Sequence, residues 1–248
     1  MARTDGQNLT YRIVHDLGIA IVSGTYTLKN PFPIEAELCK QYNASRSILR
    51  EAVKMLTAKG LLSARPRQGT WVQPEENWNL LDPDVLRWLL ERKISFALLR
   101  EFAQVRMAVE PEAAALAAAV APPEKKAAIK AALARMSSAD SGEDDPLAAD
   151  IAFHVAVLRA SGNRFFSQLS GVTETALRFS IRMTNRFKGV HRASVPDHKR
   201  IADAILAGNA AAAVKATRDL IQETVELIEE AEADSQGKQR RKPATASR

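Results

Sequence analysis

The sequence has little cysteine, few aromatic residues and no long apolar run. Among 248 residues there is a single cysteine, Cys39, so no disulfide can form within the chain and we expect a reducing compartment. The longest purely apolar run, 113–121, is too short to cross a bilayer and is followed by two prolines. Residues 1–10 have no apolar core after the first basic residue, unlike a secretory signal. The sequence therefore predicts a soluble, cytoplasmic protein with no membrane partner.

Acidic residues are also in the minority. The chain has 35 Lys and Arg against 29 Asp and Glu, which gives a formal charge of +6 and a pI of about 9.5. A basic chain suits a polyanionic partner, although net charge does not identify that partner. With 46% apolar residues, the chain is long enough for two ordinary domains, each with its own core.

The N-terminal pattern predicts three helices followed by a hairpin. Helical periodicity marks 8–23, 34–41 and 45–59. Strand-like alternation appears convincingly once, in 61–72, where two short runs flank a turn containing Pro66 and Gly69. Three helices and a hairpin within about 70 residues are typical of a winged helix-turn-helix domain.

The rest of the chain predicts helix after helix, so the expected fold is mostly α. Helical periodicity continues from 84 to 231, as in an antiparallel bundle. The predicted breaks are Pro122-Pro123, a polar loop at 137–146, Ser161-Gly162, the region near Gly189, and Gly208. The C-terminal residues are basic, without periodicity, and are predicted to be disordered. The expected parts are a winged helix-turn-helix domain at 1–75, a linker and first helix at 76–90, an all-helical ligand-binding and dimerisation domain at 91–233, and a tail at 234–248.

The third helical segment, 45–59, divides into a basic and an apolar side. Its polar side carries Arg46, Ser47, Arg50 and Lys54. Such a helix can pack its apolar side on its neighbours and present guanidinium groups to bases or phosphates in a major groove. Taken alone, it is equally typical of a solvated surface helix. The preceding short helix and the basic hairpin, with Arg65 and Arg67, favour DNA recognition.

A long match covers residues 31–72, which read PFPIEAELCKQYNASRSILREAVKMLTAKGLLSARPRQGTWV. In its pattern of charged, small and glycine residues, this segment resembles the winged helix-turn-helix of GntR-family bacterial transcription regulators. The resemblance implies that double-stranded DNA is the partner. It implies DNA contacts by Ser45, Arg46, Ser47, Arg50, Arg65, Arg67, Gly69 and Thr70. One departure is Ala36, which stands where the family usually has an arginine and removes one expected contact.

Two later segments carry ionisable groups on apolar faces. In 147–160, Asp150 and His154 lie together among aliphatic and aromatic residues, and in 195–207 His198 lies on an apolar face. Buried ionisable groups need a partner. The pair on the first segment could be a simple hydrogen-bonded couple. Alternatively, the three residues could converge on a divalent metal such as Zn²⁺.

The helical domain resembles the FCD-type effector domain of the FadR-like branch of the same family. Many such domains hold a metal through Asp-x-x-x-His on one helix and two histidines further along the chain. Asp150, His154 and His198 match the first three positions. The fourth falls at Leu220, which cannot bind a metal, and Asp219 lies on the wrong side of the wheel. The implied site is incomplete, so water or the effector supplies the missing ligand, or the pocket works without metal.

Three further polar residues have weaker signals. Arg106 shares a helix face with apolar residues, and Glu110 lies one turn later. The arginine could form a buried ion pair, or it could clamp the carboxylate of an acidic effector, because a guanidinium binds carboxylate with two parallel hydrogen bonds. His15 and His191 have no partner at an informative spacing and are predicted to be surface residues.

The segment 76–91, ENWNLLDPDVLRWLLE, is similar to the linker of bacterial galactonate-operon repressors. The matching residues are Trp78, Asn79, Leu81, Asp82, Asp84, Val85, Leu86 and Trp88. That subgroup also lacks the arginine at position 36. The resemblance implies a small sugar-acid effector such as D-galactonate.

Three classes of function are compatible with these patterns. The leading hypothesis is a homodimeric repressor that binds a pseudo-palindromic operator and is released by a sugar acid, or by another carboxylate such as lactate or gluconate. A metal-dependent sugar-acid enzyme has only the Asp/His/His set in its favour and no nucleophile motif, so we expect no enzymatic activity. An architectural DNA binder that uses the basic tail would leave the helical domain without a role.

Overall fold

The mostly helical fold predicted from the sequence is confirmed. A computed structural model describes residues 2–27, 29–65, 68–92, 95–188 and 194–240. The chain divides into two compact units, Met1–Lys93 and Ile94–Arg248. In the part of the chain that the structure describes, no helix combines the length and the apolar character needed to cross a membrane.

The N-terminal unit has the helix and hairpin order of a winged helix-turn-helix. Its elements are α1 (Ala2–Val22), α2 (Glu35–Tyr42), α3 (Arg46–Ala58), β1 (Leu62–Arg65), β2 (Gly69–Val72), a 3-10 turn (Glu75–Asn77) and α4 (Pro83–Arg92). The two strands are antiparallel, with Leu62 opposite Val72 and Arg65 opposite Gly69. Gly69 therefore begins the second strand rather than lying in the turn, and its φ of +88° explains why glycine stands there.

Local signals in the sequence fix both ends of α3. The Ser45 hydroxyl accepts a hydrogen bond from the backbone N–H of Ile48 at 3.4 Å and caps the first turn. Gly60 ends the helix with φ +76°, and a Cβ at this position would lie 2.2 Å from the carbonyl oxygen of Asn77. Between these ends, Leu49 and Leu56 are buried, so one side of α3 is held against the unit and the other is free.

The segment predicted as a linker is packed onto the N-terminal unit. Lys59, at the C-terminal end of α3, donates hydrogen bonds of 2.8–2.9 Å to both carboxylate oxygens of Asp82 and to Asp84. Burial lowers the pKa of Lys59, but the two carboxylates outweigh burial and raise it. The ring of Trp88 lies against Gly18 and also 5.8 Å from the Lys59 ammonium. These contacts join α3 and α4 through a partly buried cation.

His15 is a surface residue, as the sequence predicted, and it also takes part in this packing. Although His15 is exposed, its Nδ1 accepts a hydrogen bond from Nε1 of Trp88 at 2.9 Å. The two residues are 73 positions apart in the sequence, so spacing along one helix gives no sign of the contact. His191 lies outside the described residues.

Replacing Lys59 with Met should lower the free energy of unfolding of the N-terminal unit by about 2 kcal/mol. Methionine leaves both carboxylates without their cation, and removing one partner of a buried pair costs about 3–5 kcal/mol, less when the partners are partly exposed. Every tryptophan of the chain lies in this unit, so tryptophan fluorescence during denaturant unfolding reports on it alone.

The matched control for this experiment is Lys54→Met, in the same unit. Lys54 pairs with Glu51 at 3.6 Å, but both side chains are largely exposed, so its loss should cost little. An unchanged midpoint for Lys59→Met would contradict a stabilising role of the buried cation.

The second unit is a bundle of helices around one apolar core. Its elements are α5 (Phe96–Val120), α6 (Pro123–Asp140), α7 (Pro146–Ala160), α8 (Arg164–Gln168), α9 (Ser170–Lys188), α10 (Val195–Leu206) and α11 (Ala210–Arg240). The long helix α5 packs against α7, α10 and α11. Residues such as Ile129, Phe153, Leu158, Ile201 and Ile205 form the core. The bundle therefore brings α5, α7 and α10 together, and these helices carry the ionisable residues singled out above.

Two predicted boundaries differ from the structure. Helix α6 continues through 137–140, predicted to be loop, because Ala139 is buried and the Ser137 hydroxyl donates to the carbonyl of Leu133. Helix α11 continues to Arg240, beyond the predicted start of the tail at 234. Gly237 does not stop it, since one glycine costs a helix only about 1 kcal/mol. Residues 241–248 lie outside the described part.

Candidate DNA-binding surface and candidate metal centre

The exposed side of α3 presents the two arginines predicted to contact DNA. The side chains of Arg46 and Arg50 are 78% and 68% exposed. Arg50 donates a hydrogen bond from Nε to Oε2 of Glu35 at 3.1 Å, and Nε of Arg46 lies 3.8 Å from Oε1 of the same carboxylate. Both arginines are thus exposed on α3, and Glu35 on α2 is an additional charged residue beside them.

The hydroxyl residues lie at the N-terminal end of α3, and the wing residues lie on the hairpin. Ser45 and Ser47 are exposed, with their hydroxyl oxygens 2.9 Å apart. On the hairpin, the guanidinium of Arg65 lies 5.6 Å from the ring centroid of Trp71, a cation–π contact. Gly69 and Thr70 begin the second strand, where Gly69 is exposed and Thr70 half-buried. Arg67 falls outside the described residues, so its place on the wing stays a prediction.

Asp150, His154 and His198 come together inside the helical unit. Asp150 and His154 face one way from α7, and His198 approaches from α10. All three are buried, and one ligand atom from each lies within 4.8 Å of the others. Oδ1 of Asp150 is 3.3 Å from Nε2 of His154 and 3.1 Å from Nε2 of His198, and the two Nε2 atoms are 3.4 Å apart.

Neighbouring acceptors determine which nitrogen of each imidazole carries its proton. Nδ1 of His198 lies 2.8 Å from the carbonyl oxygen of Ser194, and Nδ1 of His154 lies 2.9 Å from Oε2 of Glu110. Since a carbonyl and an ionised carboxylate only accept hydrogen bonds, both Nδ1 atoms donate. In the neutral imidazoles, both Nε2 lone pairs then face Asp150. Such outer partners are typical of metal-binding histidines.

With neutral imidazoles, the buried carboxylates of the cluster outnumber its buried guanidinium. Asp150 and Glu110 are buried carboxylates, and Arg106 is the buried guanidinium beside them. Oδ1 of Asp150 is buried with no hydrogen-bond partner among the described residues. Around Zn²⁺ bound at about 2.0–2.1 Å, tetrahedral ligands lie about 3.4 Å apart, close to the separations found here. The residues therefore fit a divalent ion held by three protein ligands.

Without an ion, the neighbours of His154 favour its protonated form. Burial lowers the pKa of His154, but Glu110 outweighs burial and the pKa is raised. Burial raises the pKa of Glu110, and the charges of Arg106 and His154 outweigh it and hold that pKa at about 2. Burial likewise opposes ionisation of Asp150, and the two imidazoles hold its pKa below the usual range. Both carboxylates are thus ionised at neutral pH.

Of the two interpretations of Arg106, the structure shows the buried ion pair with Glu110. Its Nε and Nη2 donate to the two oxygens of Glu110 at 2.7 and 3.2 Å, and the pair is almost fully buried. Nη2 also lies 3.4 Å from both ring nitrogens of His154. Glu110 already takes the bidentate contact through Nε and Nη2 of this guanidinium, so the clamp role stays a prediction.

The position of the missing fourth ligand is occupied by an apolar residue. Leu220 is partly buried and packs against the core of the bundle. Asp219 forms an ion pair with Lys215 at 2.7 Å on the exposed side of α11. No sequence pattern indicates Ser194, because its contribution is a backbone carbonyl. The i, i+4 spacing on α5, in contrast, does indicate the pairing of Glu110 with Arg106.

Comparisons with known proteins agree with this architecture. Residues 9–72 match the bacterial regulatory proteins of the gntR family, and residues 101–223 match the FCD domain. The chain is 36% identical over 227 residues to the galactonate operon transcriptional repressor of Escherichia coli (strain K12), covering 90% of this chain and 98% of the relative. It is 30% identical over 194 residues to the putative L-lactate dehydrogenase operon regulatory protein of Escherichia coli (strain K12), covering 74% and 72%.

A solved structure gives a likeness of fold alone. The regulator Lar, which controls the expression of the Listeria monocytogenes agr system, superposes with a TM-score of 0.53 at 17% identity, covering 89% of this chain and 96% of that one. The matches of both domains, with the 36% identity over most of the chain, show a DNA-binding regulator rather than an enzyme. The chain belongs to the GntR family of bacterial transcription regulators and carries an FCD domain.

Proposed function

We propose that this GntR-family regulator is a homodimeric repressor whose effector is a small sugar acid such as D-galactonate. The observation that carries the effector proposal is the buried cluster of Asp150, His154 and His198, which offers three ligands to a metal and leaves positions open. The similarity to a galactonate operon repressor over 90% of this chain supports the choice of sugar acid.

For operator binding, we propose that α3 enters the major groove and the hairpin contacts the adjacent backbone. Arg46 and Arg50 have the exposure and charge for base or phosphate contacts, and Ser45, Ser47, Arg65, Arg67, Gly69 and Thr70 complete the surface. In a homodimer, two such units would bind the halves of a pseudo-palindrome.

For effector binding, we propose that Asp150, His154 and His198 hold a divalent ion such as Zn²⁺. When bound, the ion would supply positive charge and open coordination positions for oxygen atoms of the effector. Glu110 and Ser194 orient the two imidazoles through their Nδ1 atoms. Arg106 lies beside His154 and could bind an effector carboxylate if its ion pair with Glu110 opened.

Calorimetric titration of the metal-analysed protein with D-galactonate tests this proposal, with D-gluconate and L-lactate as comparators. We expect tight binding of D-galactonate and weaker binding of the other two acids. Binding of L-lactate instead would favour the alternative effector class, which the similarity to a lactate dehydrogenase operon regulator supports.

Thermodynamic linkage gives an independent check of repression. If the effector weakens operator affinity by some factor, the operator must weaken effector affinity by the same factor. Titrating D-galactonate into the operator complex should therefore show a proportionally higher Kd. Equal effector affinity with and without operator would contradict release by this effector.

A further inference from the structure

Glu35 lies between the two arginines of the proposed recognition helix. Each of its carboxylate oxygens faces one of them, Oε2 toward Nε of Arg50 at 3.1 Å and Oε1 toward Nε of Arg46 at 3.8 Å. Glu35 is on α2 and the arginines are on α3, so the contact depends on how the two helices pack. The contact is therefore a tertiary one, formed between the two helices of the helix-turn-helix.

Packing alone does not fix these arginines, because both side chains are largely exposed. A long, exposed arginine samples many rotamers, and ordering it on DNA costs free energy. The hydrogen bond to Glu35 uses the Nε–H of Arg50 and leaves four N–H donors on its two Nη atoms. A bidentate contact with O6 and N7 of guanine requires two such donors.

We propose that Glu35 is a positioning residue for DNA recognition, which holds Arg50, and more loosely Arg46, in the orientation that reads base edges. The inference rests on the proposed DNA-contacting role of these arginines. A carboxylate on this surface repels phosphates and weakens binding to any DNA. Its contribution is therefore to discrimination between the operator and other sequences.

The test compares the affinity of the effector-free, full-length protein for two duplexes. One carries an operator selected from random DNA by the wild-type protein, and the other is a scrambled duplex of equal length. In Glu35→Ala, we expect the ratio of the two affinities to fall about tenfold, equivalent to about 1.4 kcal/mol, while affinity for the scrambled duplex rises. Glu35→Asp, which keeps the charge but shortens the reach, should also lower the ratio.

The matched control is Glu51→Ala, which removes an equal charge from α3. Glu51 is exposed and pairs with Lys54 rather than with either arginine, so the ratio should stay at the wild-type value. In an Arg50→Ala background, Glu35→Ala should add little further loss, because its main target is gone.

Four outcomes would overturn the inference. A wild-type ratio in Glu35→Ala, with only a lower unfolding temperature, would reduce Glu35 to an acid that stabilises the first turn of α2. Additive losses in the double variant would mean that Glu35 contacts a base itself, for example N4 of cytosine. An unchanged ratio in Arg50→Ala, with both affinities lowered together, would mean that Arg50 binds a phosphate rather than a base and would overturn the inference, whereas unchanged affinity for both duplexes would refute the contribution of Arg50 to the proposed DNA surface as well.

Discussion

Replacing Arg50 with Ala should weaken operator binding by about 5- to 150-fold, the equivalent of about 1–3 kcal/mol for a lost base contact. The side chain is 68% exposed, and its described hydrogen bond is to Glu35 on the same surface. The variant should therefore fold normally, with a change in stability within about 0.5 kcal/mol. Fluorescence anisotropy on a labelled operator measures the loss.

The salt dependence of the same measurement separates two kinds of contact. If Arg50 reads a base, affinity for the operator falls much more than affinity for scrambled DNA. If it binds a phosphate, both affinities fall together and the slope of log K against log salt decreases by about 1. Arg200→Ala is the control, since this exposed arginine pairs with Asp197 in the helical unit. Unchanged operator affinity in both Arg46→Ala and Arg50→Ala would remove α3 from the proposed DNA surface.

The elements of the fold could be predicted because their signals are local. The polar and apolar sides of α3, the glycine that ends it and the hairpin alternation all come from neighbouring residues. The same holds for Asp150 with His154, since residues four apart on one helix share a face. The approach of His198 from α10 required the family resemblance, because helical periodicity gives no distance between two helices.

The contacts that sequence reasoning missed are those between distant segments. Lys59 looks like an ordinary basic residue at a helix end, and its carboxylate partners are 23 and 25 residues further along the chain. Glu35 likewise acts on residues of the next helix. No periodicity relates such residues, so their roles depend on tertiary packing. The tail was predicted to be disordered from 234 because its residues are basic and without periodicity, whereas α11 continues to Arg240.

Replacing His198 with Ala should lower Zn²⁺ affinity by more than 100-fold. Mutating only an outer partner of a metal ligand costs about 10- to 100-fold, and the loss of a ligand itself should cost more. His198 supplies one of three converging ligand atoms, so the variant retains two, and Leu220, at the fourth ligand position of the family, cannot bind a metal. Competition with a chromophoric chelator measures the affinity, and elemental analysis gives the metal content.

Two further variants, Glu110→Gln and Asp219→Asn, test whether the loss of affinity is specific to the buried cluster. Glu110→Gln should weaken Zn²⁺ binding by about 10- to 100-fold, because it weakens the hydrogen bond that orients His154. Asp219→Asn removes a carboxylate from the exposed side of α11 and should leave affinity unchanged. A ligand that binds only the folded state stabilises that state by about 2.7 kcal/mol when its concentration is 100 times its Kd. Zn²⁺ should therefore raise the Tm of the wild-type protein and of Asp219→Asn, but not that of His198→Ala. Equal Zn²⁺ affinity in wild type and His198→Ala would place any bound metal elsewhere and leave the buried cluster as a hydrogen-bonded network.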